Sequence, residues 1–370
     1  MAKKSYIGVD GKARQVKKWY VGVDSKARKV KKGYIGVGGV ARPFIGGGEL
    51  AYYGTITDLS HARIYLAGAT VGNYALFAGG ANRTGILSAV DAYSSSLVRS
   101  TPTSLLSKGM SSLAGASVGN YALFAGYNDS GSSVDAYNSS LVRSTPTALA
   151  AIRDDIAGAS VRNYALFAGG SSNSSSSSIV DAYNSSLVRN ASVTLSQARA
   201  GLAGASAGNY ALFAGGTYKG SVVSTIDAYD SSLVRSTPTG LSQARSGLAG
   251  ASVGNYALFA GGYRSNSSVD AYNSSLVRST PTALLEGRHA LAGASAGDYA
   301  LFAGGTPSSD PNYSVTTVDA YDSSLVRSTP TGLSQARSGL AGASVGNYAL
   351  FAGGLSSGGY SITVDAYVVK

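Results

Sequence analysis

The stretch that decides the fold is residues 325–351, which read LVRSTPTGLSQARSGLAGASVGNYALF. Short runs of β-branched or aromatic residues alternate in it with Gly, Pro, Ser and Asn, and no apolar period of 3.6 residues continues long enough for a helix. Four candidate strands recur along the chain: LAGAS, NYALFAGG, VDAY and LVRSTPT, called strands a, b, c and d below. The pattern therefore predicts four short β-strands per repeat unit.

The motif Tyr-Ala-Leu-Phe-Ala-Gly occurs seven times, and the residue before it recurs at intervals of 47, 43, 46, 46, 43 and 49 positions. Asp-Ala-Tyr also occurs seven times, in step with it. A period of about 40 to 50 residues indicates a solenoid or a propeller. Four antiparallel strands per unit favour the propeller, because each sheet covers its neighbour and no long edge stays open. We therefore predict an all-β, seven-bladed β-propeller.

The two ends of the repeat region complement each other. The seventh unit stops at Asp365-Ala366-Tyr367 and Lys370, without a strand d. Residues 51–63 (AYYGTITDLSHAR) align position by position with residues 325–337 (LVRSTPTGLSQAR). We therefore expect the N-terminal strand to pair with strand c of the last blade and close the ring. The predicted domains are a basic repeat segment (1–44), a linker (45–50) and the propeller (51–370).

The repeat resembles the kelch family of β-propellers across residues 51–370. Its double glycine after strand b is present in six units and replaced by Gly126-Tyr127 in the second: Gly79-Gly80, Gly169-Gly170, Gly215-Gly216, Gly261-Gly262, Gly304-Gly305 and Gly353-Gly354. The kelch tyrosine of strand c matches Tyr93, Tyr137, Tyr183, Tyr229, Tyr272, Tyr321 and Tyr367. The kelch arginine before strand a matches Arg63, Arg153, Arg199, Arg245, Arg288 and Arg337. The spaced tryptophan is missing, so the resemblance implies a divergent kelch-like subgroup.

The net charge of +11 belongs mainly to the first 44 residues. They hold 12 Lys and Arg and 2 Asp, a net of +10, which leaves +1 for the other 326 residues. The segment repeats every 14 residues (KKSYIGVDGKARQV, KKWYVGVDSKARKV, KKGYIGVGGVARPF), and each unit predicts a β-hairpin with a tight turn such as Asp10-Gly11. Because an isolated hairpin is only marginally stable in water, we expect these hairpins to pack against a partner protein, another copy of the segment or the second domain.

These N-terminal units resemble segments of tail and fibre proteins of bacteriophages and prophages of Gram-positive bacteria. We predict that they mediate docking on a virion or another protein assembly, or oligomerisation. The alternatives are a solvated face, lysines that protect the hairpins from edge pairing, and nucleic-acid binding, which we do not expect. The candidate docking residues are Lys3, Lys4, Lys17, Lys18, Trp19, Lys31 and Lys32.

The chain offers few groups for catalysis. It has no cysteine and two glutamates (Glu49 and Glu286). Its two histidines, His61 and His289, occupy corresponding d-to-a loops, and we expect both to be ordinary surface residues. This composition excludes disulfides, a thiolate zinc site, a cysteine nucleophile and the cysteine-linked copper centre of kelch-like oxidases. One aspartate per blade does not supply the six to eight oxygens that calcium takes, so hydrogen bonding to an adjacent turn is the expected role of the Asp-Ala-Tyr aspartates. We expect no enzyme activity, no cofactor, no metal and no membrane insertion.

The links between strands b and c vary freely, whereas the framework is nearly verbatim. Examples are SSNSSSSSI (171–179), TYKGSVVSTI (217–226), YRSNSS (263–268) and TPSSDPNYSVTT (306–317). In an antiparallel meander the b-to-c and d-to-a links lie on one face, and Ser, Asn, Gly and Tyr suit adaptable recognition. The alternatives are merely tolerant loops and, for the arginines, a structural role. The candidate binding residues are Arg63, Arg153, Arg199, Arg245, Arg288, Arg337, Tyr218, Tyr263, Arg264 and Tyr313.

These observations predict a non-enzymatic virion protein of a phage or prophage, such as a tail or fibre component. Its N-terminus would dock on the particle, and its propeller loops would recognise a host-surface glycan or protein, with weak single sites summed over many copies. The first 10 residues show no secretory signal, in keeping with a virion location. The alternatives are a bacterial kelch-type adhesin, an intracellular interaction hub, and an unrecognised propeller enzyme.

Overall fold

A computed structural model describes residues 5–9, 12–16, 20–23, 26–29, 34–37, 40–43, 48–105, 109–110, 112–128, 131–172, 175–307 and 313–370. The chain forms two compact units, residues 1–49 with 369–370, and residues 50–368. No α-helix occurs in the described residues, and so none that could cross a membrane. The all-β fold class is as predicted.

The first unit contains three antiparallel hairpins. Ser5–Val9 pairs with Lys12–Val16, Tyr20–Val23 with Lys26–Lys29, and Tyr34–Val37 with Val40–Pro43. In each, the last residue of the first strand faces the first residue of the second across two intervening positions. The predicted docking residues Lys3, Lys4, Lys17, Lys18, Trp19, Lys31 and Lys32 lie outside the described residues, and their role stays a prediction.

The second unit contains seven four-stranded antiparallel sheets, which are the predicted seven blades. Strands a are Ala67–Val71, Ala114–Val118, Ala157–Val161, Ala203–Ala207, Ala249–Val253, Ala292–Ala296 and Ala341–Val345. Strands b are Tyr74–Ala78, Tyr121–Asn128, Tyr164–Ala168, Tyr210–Ala214, Tyr256–Ala260, Tyr299–Ala303 and Tyr348–Ala352. Strands c are Val90–Ser94, Gly131–Asn138, Ile179–Asn184, Ile226–Tyr229, Val269–Tyr272, Val318–Asp322 and Val364–Val369. Strands d are Arg99–Ser100, Arg143–Ser144, Arg189–Thr194, Arg235–Ser236, Arg278–Ser279, Arg327–Ser328 and, in blade seven, Leu50–Ile56.

The ring closes as predicted, with the N-terminal strand Leu50–Ile56 as the outer strand of the seventh blade beside Val364–Val369. The Tyr52 hydroxyl donates a hydrogen bond of 2.7 Å to the Asp365 carboxylate of strand c. Burial, together with this contact, raises the pKa of Tyr52 to about 12. Residues from opposite ends of the repeat region thus complete the seventh blade, which has four strands like the other six.

The hydrophobic core lies between neighbouring blades. Strand b is buried on both faces, so its side chains alternate between the two interfaces: Phe77 and Ala75 pack against the seventh blade, whereas Leu76 and Ala78 pack against the second. This explains why strand b is a continuous apolar run. In every blade the strand-b phenylalanine meets the strand-c tyrosine edge-on, with ring centroids 5.8–6.2 Å apart.

Each strand-c tyrosine also joins its blade to the preceding one. Tyr229, for example, is fully buried and donates a hydrogen bond of 2.7 Å to the carbonyl of Thr194. The other six make the same bond at 2.7–2.9 Å: Tyr93, Tyr137, Tyr183, Tyr272, Tyr321 and Tyr367. The acceptor is a threonine carbonyl in every case. The hydroxyl fixes the spacing between blades because a buried donor without a partner would cost free energy.

The strands a line the central channel, where seven glycines bring the blades into backbone contact. A Cβ atom on Gly204 would lie 2.8 Å from the carbonyl carbon of Gly158 in the preceding blade, and closer still to its oxygen. The same overlap recurs at every interface, at Gly68, Gly115, Gly158, Gly250, Gly293 and Gly342. The glycine of strand a is therefore a steric requirement of ring closure.

A belt of hydroxyl groups follows the same circle. The Ser206 hydroxyl donates to the carbonyl of Ser160 in the preceding blade at 2.6 Å. The Ser206 N–H in turn donates to the hydroxyl of Ser252 in the next blade at 3.0 Å. Corresponding bonds involve Thr70, Ser117, Ser295 and Ser344. The polar groups of strand a are thereby satisfied between blades.

The substitution Gly204→Ala tests the glycine ring. We expect it to destabilise the propeller by roughly 3 kcal/mol or more, because the clash is with backbone that cannot rotate away. The matched control is Gly358→Ala, where an added Cβ would meet only the Ser356 hydroxyl, at 3.7 Å. Thermal unfolding followed by circular dichroism compares the two midpoints. Equal midpoints for the two variants would contradict the steric role of Gly204.

Candidate functional site at the mouth of the central channel

The six arginines predicted to surround a binding face are buried, with only 0–1% of each side chain exposed. The prediction that they contact a ligand is corrected: they lie between the strands of their own blade and do not reach the surface. The structural role that the sequence left open describes all six: Arg63, Arg153, Arg199, Arg245, Arg288 and Arg337.

Arg199 shows how each guanidinium is held. Its Nη2 lies 2.5 Å from a carboxylate oxygen of Asp227 in strand c, and its Nη1 donates to the carbonyls of Gly215 and Thr225 at 2.6 and 2.8 Å. The other Asp227 oxygen accepts a hydrogen bond from the Ser196 N–H at 2.8 Å. Burial lowers the pKa of the Arg199 guanidinium from its ordinary value, and the Asp227 charge opposes that shift.

The same buried ion pair occurs in six blades, whereas Met110 takes the place of the arginine in blade two. The strand-c aspartates are therefore structural. Within the described residues, no group of three His, Asp or Glu side chains is placed to hold a metal ion.

The b-to-c and d-to-a links lie on one face of the propeller, as predicted. Short β-bridges join them in five blades: Ile64 to Ala81, Asp154 to Ser171, Ala200 to Thr217, His289 to Thr306, and Ser338 to Leu355. Four b-to-c links form small hairpins of their own, at Ala81–Asn82 with Gly85–Ile86, Ser171–Ser172 with Ser175–Ser176, Thr217–Tyr218 with Ser221–Val222, and Leu355–Ser356 with Gly359–Tyr360. In blade two the link continues the longer strands b and c instead.

The channel opens on this face through a mouth of about 260 Å³. Its floor is a ring of aliphatic side chains at the start of strand a: Leu66, Leu113, Ile156, Leu202, Leu248, Leu291 and Leu340. Its rim is the residue that precedes each of these: Tyr65, Ser112, Asp155, Gly201, Gly247, Ala290 and Gly339. We call these seven residues the rim positions.

All seven rim positions have the same left-handed backbone, with φ between 49° and 65°. The conformation aligns rim N–H groups with the carbonyl of the rim residue in the preceding blade, as in Gly247 N–H to Gly201 O at 3.2 Å and Ala290 N–H to Gly247 O at 3.3 Å. Six such bonds circle the mouth. Glycine adopts this conformation freely, whereas Tyr65, Ser112, Asp155 and Ala290 hold it at a cost in strain.

Aromatic side chains surround this rim. The Tyr263 ring covers Gly247, where an added Cβ would lie 2.6 Å from it, and it packs against the His289 ring with centroids 4.1 Å apart. Tyr65 is 53% exposed, and its pKa is raised by desolvation and by the neighbouring Tyr263, Asp155 and Tyr360. Desolvation and the adjacent Asp154 raise the pKa of Asp155. Burial lowers the pKa of His289, although its hydrogen bond to the Thr306 backbone opposes the shift.

A cleft of about 560 Å³ adjoins the mouth between the hairpins of blades three and four. Asp155 lines both cavities. The other cleft residues are rich in hydroxyls and include one aromatic ring and one ammonium group: Ser171, Ser175, Ser176, Ala200, Thr217, Tyr218, Lys219 and Gly220. The Lys219 ammonium lies 5.2 Å from the centroid of the Tyr218 ring.

The structure separates the predicted site residues into groups. Tyr218 lines the cleft, Tyr263 covers part of the mouth, and Arg264 and Tyr313 are exposed on other parts of the b-to-c links. His61 is exposed, as expected, but His289 is only 7% exposed, so the prediction of a surface histidine was wrong there.

Tyr65, Asp155 and Lys219 line these cavities but are not among the binding residues predicted from the sequence. A signal was present for the first two, because the position immediately before the Leu or Ile of strand a carries a different side chain in most blades. This position lies inside the nearly verbatim framework of the repeat, where its variation is easily missed.

No protein-family model matches the chain, and no curated protein sequence matches it. Among solved structures, the chain is similar to the one titled "Structure of YjhT", with a TM-score of 0.55 and 12% sequence identity over 84% of this chain and 95% of the other. At this identity the likeness shows the propeller fold alone. Membership of the kelch family stays an expectation from the sequence.

The buried ion pair can be tested in blade four. We expect Asp227→Asn to destabilise the protein by about 3–5 kcal/mol, because it leaves the Arg199 guanidinium buried without its counter-charge. The double variant Arg199→Met/Asp227→Asn removes the unpaired charge and places at position 199 the methionine that blade two has. Its free energy of unfolding should therefore fall less than that of Asp227→Asn. Urea denaturation measures both. A double variant less stable than Asp227→Asn would contradict this account of the pair.

Proposed function

We propose that this protein is a non-enzymatic binding protein that recognises a glycan on a host surface through the loop face of its propeller. The observation that carries the proposal is the set of rim positions. Their backbone is constant, with φ between 49° and 65°, while their side chains range from glycine to tyrosine and aspartate around one cavity. A rigid frame with varied walls is the arrangement that ligand pockets use.

The opposite face of the propeller supports this choice by contrast. Its c-to-d turns repeat one Leu-Val-Arg pattern, and the exposed valines in them are equivalent from blade to blade: Val98, Val142, Val188, Val234, Val277 and Val326. Recognition of one asymmetric molecule requires different side chains at equivalent positions. That condition is met on the loop face.

The chemistry of the cleft suits a carbohydrate. Tyr218 offers an aromatic ring on which the C–H face of a sugar can pack, and the Ser and Thr hydroxyls, together with Asp155, can exchange hydrogen bonds with sugar hydroxyls. A protein ligand on the same face is the alternative that the sequence leaves open. A binding assay distinguishes a glycan ligand from a protein ligand.

For the first unit we propose docking on a phage or prophage particle. This proposal is supported by the net charge of +10 over residues 1–44, by the three repeated hairpins and by the resemblance to phage tail and fibre segments. Many copies on one particle would add weak glycan contacts into firm attachment. A bacterial adhesin or an interaction hub would use the same propeller face without the particle.

The loop-face proposal is tested by Tyr218→Ala. We expect at least about a fivefold loss of affinity for the recognised glycan, since a packed aromatic ring contributes about 1 kcal/mol. The control is Val234→Ala, which removes an exposed apolar side chain on the opposite face. A panel of bacterial cell-wall glycans, with binding measured by calorimetry, supplies the affinities.

Equal losses in the two variants, or no glycan binding by the unaltered protein, would count against the glycan proposal. Conversion of a bound glycan into a new product would favour the enzyme alternative.

The docking proposal is tested by deleting residues 1–44, which keeps the closing strand Leu50–Ile56. We expect the shortened protein to bind glycan with unchanged affinity but to be missing from purified particles, as followed by immunoblotting. Incorporation at the level of the full chain would refute a docking role for these repeats.

A further inference from the structure

The charges at the mouth are unbalanced. Asp155 is the one ionised side chain among the residues that line it, and the lining includes no Lys or Arg. No ion pair between described residues includes Asp155. Every strand-c aspartate, by contrast, has an arginine within 4.0 Å.

Asp155 and its neighbour Asp154 have different surroundings. Asp154 accepts a hydrogen bond from the Ser171 hydroxyl at 2.6 Å, outside the mouth. Asp155 stands at a rim position whose backbone is fixed by the bond from Gly201 N–H to Asp155 O at 3.3 Å. The raised pKa of Asp155 reflects the same situation, because desolvation and a like charge both disfavour an ionised carboxylate. A cation bound at the mouth would favour the ionised carboxylate and so oppose both effects.

The remaining walls define which kind of cation fits. Tyr65 contributes a half-exposed ring to the lining, and the Tyr263 ring lies beside the mouth, where it covers Gly247. Burial lowers the pKa of His289, which disfavours a charged imidazole beside Tyr263. Below them lies the aliphatic floor. Aromatic faces beside a carboxylate attract organic ammonium groups, whereas a metal ion would need several more oxygen ligands.

We infer that the mouth is a subsite for an organic ammonium group, and that Asp155 selects glycans that carry a protonated amine over their neutral counterparts. The inference rests on the proposed glycan function for the rest of the ligand. The sugar ring occupies the adjoining cleft beside Tyr218, and the ammonium group reaches Asp155, which lines both cavities.

The probes are two oligosaccharides of equal length, a chitosan oligomer with protonated amines at mildly acidic pH and a chitin oligomer whose amines are acetylated and neutral. We expect the full chain to prefer the chitosan oligomer by about tenfold. Asp155→Asn should abolish that preference. Asparagine keeps nearly the same shape and tolerates the left-handed conformation, so the variant should fold. Calorimetry measures the affinities, and thermal unfolding checks the fold.

The matched control is Asp154→Asn, which removes an equal charge one residue away while keeping an acceptor for the Ser171 hydroxyl. We expect it to keep the preference for the charged oligomer. A loss of preference equal to that of Asp155→Asn would overturn the inference, because general electrostatic attraction would then explain the data.

Further outcomes distinguish the two proposals. If both oligomers bind the unaltered protein equally and Tyr218→Ala weakens both, the ammonium subsite is refuted and glycan recognition stands. If neither oligomer binds, but tetramethylammonium binds the unaltered protein and not Asp155→Asn, the subsite is supported and glycan recognition by the cleft is refuted.

Discussion

The propeller depends on the close approach of neighbouring blades at the seven glycines of strand a. With no Cβ atom between them, the backbone of each blade lies directly against the glycine carbonyl of the preceding blade. This distance lets the Ser and Thr hydroxyls two residues further on reach across the interface and form the belt around the channel. The same close approach limits the space between blades that the apolar side chains of strand b can fill. One small residue per blade therefore determines the radius of the ring.

Three further sets of contacts hold the blades at that radius, and each uses a polar group that would otherwise be buried without a partner. The strand-c tyrosine bonds to the preceding blade, the arginine bonds within its own blade, and the rim N–H groups bond around the mouth. Because these contacts consume the repeated polar residues, the repeated residues are unavailable for binding. Side chains that can meet a ligand are therefore found where the repeat varies.

The sequence predicted the fold well because the repeat period, the alternation of short apolar runs with turn residues and the complementary ends are all local or countable features. It did not predict the role of the arginines, because the partner of Arg199 is Asp227, 28 residues away, and only pairing of the strands brings them together. Tyr65 and Asp155 were overlooked for a related reason. They occupy a turn position that three other blades fill with glycine, so their exposure at the mouth depends on the closed ring.

The nearly symmetric ring can still recognise one specific ligand, because the rim positions share one backbone conformation but carry different side chains. A φ near +55° aligns the rim backbone for the six inter-blade bonds, and glycine adopts this φ with the least strain. Each non-glycine residue at the rim therefore lowers stability slightly and adds a chemical group to the wall of the cavity. Of these groups, only the carboxylate of Asp155 is ionised, and it belongs to the mouth and the cleft together. A ligand with one positive and one hydroxyl-rich part would engage both cavities in a single orientation, although the ring has nearly sevenfold symmetry.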